Sequence, residues 1–141
     1  MSQFGLPIID DSVHSANAWL NRLTELTGWD HKQRAYRLLR ATLHALRDHL
    51  SVNEAADLGA QLPTLIRGIY YEGFHPAQMP VKDRSREHFI ARIEEAFETD
   101  PMGDAPEAVG AVLTLLSEHV SPGEMDDIRV SFTKEIRALF P

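Results

Sequence analysis

The chain has 141 residues, no cysteine and a formal net charge of −7. A single domain of this length buries about 68–70% of its unfolded surface. Lacking cysteine, it has no disulfide framework, thiolate metal site or cysteine nucleophile, and its acidic balance opposes global attraction to nucleic acid or anionic lipid.

The first helical segment is expected over residues 12–27. Val13, Ala16, Trp19, Leu20, Leu23 and Leu26 recur at three-to-four spacing, and Gly28 follows as a stop. The second is expected over 31–49, with Asp30 as N-cap and Gln33 completing a capping box. Its apolar side carries Ala35, Leu38, Leu39, Leu43, Ala45, Leu46 and Leu50. Its other side carries Arg34, Arg37, Arg40, His44 and Arg47, a face read as having no interleaved aromatic residue.

Ser51-Val-Asn-Glu54 reads as a capping box opening a third helix, and Pro63 starts a short fourth ending near Tyr71. Residues 72–84, EGFHPAQMPVKDR, contain two prolines and a glycine and form a linker. A second set is expected over 85–98, 105–120, 122–131 and 133–140, with caps at Asp104-Ala-Pro-Glu107 and Ser121-Pro-Gly-Glu124. No run alternates apolar and polar residues between turn signals, so no strand is expected.

The two sets repeat. Residues 41–70 align without a gap to 111–140, with nine identities that include His49/His119, Ser51/Ser121, Glu54/Glu124, Asp57/Asp127 and Arg67/Arg137. The offset continues upstream through Trp19/Phe89 and Arg22/Arg92. The expected fold is therefore all-α: two tandem four-helix repeats, 15–71 and 85–141, sharing one core within a single compact domain, about eight helices in total. Each half alone would be marginal, which favours a shared core. His49 and His119 are expected to serve the last turn of their helices as cation or donor, and Asp57 is expected to pair with Arg67.

Features confined to one half are the better functional candidates. Gln61, Arg67, Tyr70, Tyr71, Glu72 and Phe74 form an aromatic-rich segment that reads either as a partner surface or as a cap on the core between the repeats. The second candidate is charged. Arg34, Arg37 and Arg40 have Asp104, Glu107 and Gly110 as their counterparts seventy residues on, so a basic flank could meet an acidic one across the repeats. A solvated arginine face is the alternative, and nucleic acid is disfavoured because no aromatic is interleaved. His44 and His49 are five apart and face different directions. No glycine-rich phosphate loop, nucleophile elbow or carboxylate–histidine metal motif is present in the sequence, so no catalytic residue, metal or cofactor is assigned.

The runs LRDHLSVNEAADLGAQLP and IRGIYYEGF, within residues 36–74, resemble the bacterial domain-of-unknown-function family 2267. The resemblance implies a small, duplicated, all-helical protein of the bacterial cytoplasm, and brings no activity with it. The second copy lacks the Gln-Leu-Pro and Tyr-Tyr-Glu-Gly elements, so a function tied to them would be asymmetric.

These observations favour a non-enzymatic helical interaction or regulatory module with a protein partner or self-association. The alternative is a small-molecule or ion-binding protein, conceivably an enzyme, with a pocket between the repeats lined by Gln61, Arg67, Tyr70 and Tyr71. A cytoplasmic location is expected: no apolar run nears the ~18 residues of a membrane span, and MSQFGLPIIDDS lacks the features of a signal peptide.

Overall fold

A proline at its first position and a glycine behind its last frame helix α1 (Pro7–Thr27). The proline ring presets φ where no N–H partner is needed, and Gly28 takes the left-handed conformation (φ 74°) that ends the helix. The computed structural model describes residues 5–141; residues 1–4, the start of the stretch read above for a leader, lie outside the described residues. Helix α1 thus begins at Pro7 rather than near residue 12, because the proline signal lies upstream of the buried periodic residues.

Helix α2 (Lys32–His49) is the centre of the molecule, with α1 on one flank. Its N-cap is His31, with no side-chain hydrogen bond, so Asp30 stands one residue outside the helix and the expected capping box does not form. The entry is held by stacking: the Arg34 guanidinium lies 3.9 Å from the centre of the Trp29 ring. Ala35, Leu38, Leu39, Leu43, Ala45 and Leu46 are all fully buried. Each of those leucines contributes about 1.5–3 kcal/mol relative to exposure.

The remaining helices are α3 (Val52–Ala60), α4 (Thr64–Tyr71), α5 (Arg86–Glu94), α6 (Ala105–His119), α7 (Pro122–Val130) and α8 (Lys134–Arg137). The protein is all-α: eight helices and no strand among the described residues. The serine caps form as expected, Ser51 Oγ accepting from Glu54 N–H and Ser121 Oγ from Glu124 N–H, both at 3.2 Å. Asp104 accepts from Glu107 N–H in the same way. The segment expected as one helix over 85–98 instead tightens into a 3-10 turn at Glu95–Phe97, and the last helix spans only Lys134–Arg137.

The predicted Asp57–Arg67 ion pair is corrected by the structure. Arg67 instead donates to the carbonyls of Gly59, Ala60 and Leu62, at 2.8, 3.1 and 2.8 Å. Those carbonyls lie at the end of α3 and in the turn just after it, and a forked guanidinium engages several at once where one carboxylate would engage it at a single point.

Buried side chains from Trp19 to Ile136 form one cluster, to which residues before and after the linker both contribute. Helices α1, α4, α5 and α6 pack against α2, and α3 packs against α7. Trp19 of α1 stacks on His119 at the end of α6, with ring centres 4.6 Å apart. At the α2–α5 junction His49 is fully buried beside Phe89 and Phe132. Its Nδ1–H donates to the Ala45 carbonyl at 2.9 Å, while Nε2 and the neighbouring His88 Nδ1 have no protein partner. Of the two expected roles, cation or donor, the structure shows the donor. Burial pushes the His49 imidazole down to about 4, partly offset by the Ala45 bond, with Arg84, His88 and Arg92 adding repulsion.

This sets a pH dependence. The unfolded chain takes up a proton at His49 near the ordinary 6.5, the folded chain only near 4, so the unfolded state holds more protons between these values. Stability is complete above the ordinary value and declines as pH falls from there toward 4. His44 is shifted in the same direction, whereas Asp48 and Glu54, held below their ordinary values, act mostly at lower pH. Denaturant unfolding at pH 7 and pH 4.5 should show a loss that shrinks by roughly 2 kcal/mol in His49→Gln, which keeps a donor but cannot ionise.

Candidate functional site

Of the residues singled out in the sequence, Tyr70, Glu72 and Phe74 gather around one buried cation. Arg47, near the C-terminal end of α2, is 2% exposed. Its Nη1 donates to the carbonyls of Tyr70 and Glu72 at 2.7 and 2.6 Å, just where α4 ends and its last carbonyls lose helical partners. Its Nε and Nη2 donate to the Asp48 carboxylate at 2.8 and 3.2 Å. Arg92 of α5 donates to the same carboxylate from the other side. Burial alone would raise the Asp48 carboxyl, but the bonds from Arg47 and Arg92 outweigh it and hold it below its ordinary value. The Asp48 carbonyl also accepts from Val81 N–H at 2.8 Å, tying down the far end of the linker.

The aromatic segment is mostly packing. Tyr70 lies in the core, its hydroxyl donating to the Ala55 carbonyl at 2.7 Å, and burial pushes its phenol upward. Tyr71 is half-buried, with Tyr70 on one side and Phe74 on the other at ring-centre distances of 5.0 and 5.3 Å. Phe74 is half-buried as well and sits 5.9 Å from the Arg47 guanidinium. Glu72 is exposed and pairs with Arg40 at 3.1 Å. Gln61 lies apart from this group: its amide donates to Ser121 Oγ at 3.2 Å and accepts from Ser121 N–H at 2.8 Å. Arg67 is engaged on α3. Gln61, Arg67, Tyr70 and Tyr71 therefore take separate structural tasks rather than lining one pocket.

The arginine face divides as well. Arg34 and Arg37 meet Asp100 at 3.1 and 3.3 Å, and Arg34 also donates to the Pro101 carbonyl at 2.8 Å. A basic flank does face an acidic residue from beyond the linker, but that residue is Asp100. Asp104 is occupied as the cap of α6, and Glu107 lines a small hollow of about 120 Å³ with Thr27, Trp29 and Met102. Tyr36 corrects the reading of an aromatic-free face: it lines a hollow beside Arg37 and Arg40. No group of three or more His, Cys, Asp or Glu that could hold a metal occurs among the described residues. Among the described residues no helix is long and apolar enough to cross a membrane.

Sequence reasoning placed Arg47 with the exposed arginines and so missed its role. The available signal was its counterpart: Ser117 stands seventy residues on, in a half that also lacks the Tyr-Tyr-Glu-Gly element whose carbonyls Arg47 holds.

Residues 16–139 match the family described as uncharacterized conserved protein (DUF2267), and the chain belongs to that family. No curated protein matches it.

A Cβ at Gly59 would stand 2.5 Å from the Tyr71 hydroxyl and 2.9 Å from its ring carbons. Gly59→Ala should lower stability by about 1–2 kcal/mol through this overlap, although alanine favours a helix by up to about 1 kcal/mol. In a Tyr71→Leu background the same change should become neutral or stabilising, which a double-mutant cycle of denaturant unfolding would read.

Proposed function

We propose that the chain is a non-enzymatic helical interaction module that associates through the first turns of α1, the partner being a second copy of itself. The observation that carries this reading is the exposure of Leu6, Ile8, Ile9 and Val13, at 66, 70, 57 and 45%. They supply four of the eight large apolar side chains left exposed among the described residues, within eight successive residues, so the surface is concentrated rather than scattered. At 100° per residue, Leu6, Ile9 and Val13 continue the stripe that Ala16, Leu20 and Leu23 present to the body.

A helix face of this kind is self-complementary about a twofold axis. In an antiparallel α1–α1 pair, Asp10 and Asp11 of one copy would run alongside His14 of the other. The half-buried positions of Tyr71 and Phe74 favour α1 over the linker aromatics as the docking surface. Arg47 and Asp48 are committed to hydrogen bonds that hold α2 to α4, α5 and the linker, which supports the non-enzymatic side of the reading.

Sedimentation velocity across a concentration series tests it. The native chain should gain mass with concentration. A Leu6→Asp, Ile9→Asp, Val13→Asp triple variant should stay monomeric while its helical circular dichroism is unchanged. A native chain that remains a monomer throughout, or a variant that associates equally well, would reject the proposal.

A further inference from the structure

A groove runs between α2 and the α5/3-10 segment on a face remote in sequence from the apolar turns of α1. It consists of two hollows of about 310 Å³ each, joined where Arg40, Ala41 and Ala96 line both. The two alanines leave its floor low. Gln33, Tyr36 and Arg37 border one end, and Arg92 and Glu95 the other.

The hydrogen-bonding balance of this groove is lopsided. A guanidinium carries five N–H donors. Arg37 commits one of its N–H groups, to Asp100 at 3.3 Å, and Arg40 commits one, to Glu72 at 3.1 Å. Both guanidinia are partly exposed, at 38 and 45%, and so are their carboxylate partners. Exposed pairs of this kind contribute little and exchange readily. Glu95 is the only carboxylate among the residues lining the groove. The remaining polar lining is mostly donors on a rigid helix, the arrangement that accepts an oxygen-rich anion. The exposed Tyr36 ring at the groove's end adds a flat surface on which a planar group can stack.

We propose that this groove binds a phosphorylated small molecule of the nucleotide class, its phosphates on Arg37 and Arg40 and its ring on Tyr36. A compact anion can take up the free donors of Arg37 and Arg40, whereas the chain's net charge of −7 disfavours an extended polyanion. The site is independent of α1 association, because none of its lining residues lies on that helix.

Calorimetric titration of the full chain at low salt, with ATP and with inorganic pyrophosphate as probes, tests the assignment. Both should bind saturably, ATP the more tightly, and both more weakly as salt rises. Arg37→Gln with Arg40→Gln should weaken both by about tenfold or more. Tyr36→Ala should abolish only the preference for ATP. Glu95→Gln, which removes the carboxylate from the lining, should tighten both by a few-fold. Absence of saturable binding, equal affinity in the arginine double variant with its helical signal intact, or tighter binding of a poly-glutamate peptide than of ATP would overturn the proposal.

Discussion

A guanidinium that cannot be deprotonated has been buried at the end of α2, and the surrounding structure follows from the need to satisfy it. Arg47 can lie in the core only with its N–H groups occupied. The carbonyls of Tyr70 and Glu72 supply acceptors, so the last turn of α4 must end there. The Asp48 carboxylate supplies the countercharge and, shared with Arg92, draws α5 to the same point. Through the Asp48 carbonyl and Val81 N–H the linker is fixed too. One cation thus joins the elements before and after the linker, and the α2–α5 groove is a consequence of where it holds them.

The same region explains how an acidic chain keeps a basic face. Arg34, Arg37 and Arg40 are offset by Asp100 and Glu72, which come from outside α2, so the helix itself carries little negative charge. We propose that the two halves descend from one duplicated unit, and the α3–α7 contact supports that. Gln61, at the end of α3, bonds Ser121, the N-cap of α7. Reciprocally, Ser131 at the end of α7 donates to Glu54, in the first turn of α3. Residue 131 is the counterpart of 61, and Glu54 belongs to the capping box of Ser51, the counterpart of 121, so the end of each of these helices reaches the opening turn of the other.

What could be read from the sequence was local. Ser51, Asp104 and Ser121 acted as caps because a cap depends on three or four successive residues. The apolar stripe of α2 was legible for the same reason: it needs only the helical period. Arg47 was not legible, because its periodicity groups it with the exposed arginines while its burial depends on carbonyls more than twenty residues away. Arg67 was misassigned in a related way, since sequence offers a carboxylate as a partner more visibly than a set of freed carbonyls. His49 sits at a helix end where a cation is favoured, but packing against Phe89 and Phe132 outweighs that preference. Tyr36 was overlooked as a groove residue because nothing in its own neighbourhood reveals the hollow that Ala96 of the 3-10 turn completes.

The most direct test of the account is the unfolding free energy of Arg47→Met, a substitution that fills similar space without donors or charge. Removing the guanidinium leaves two carbonyls and part of a carboxylate buried without partners, so the loss should be about 3 kcal/mol, and amide exchange in α4 should accelerate with it. A variant within about 0.5 kcal/mol of the native chain, with α4 protected as before, would show that Arg47 does not hold this junction together.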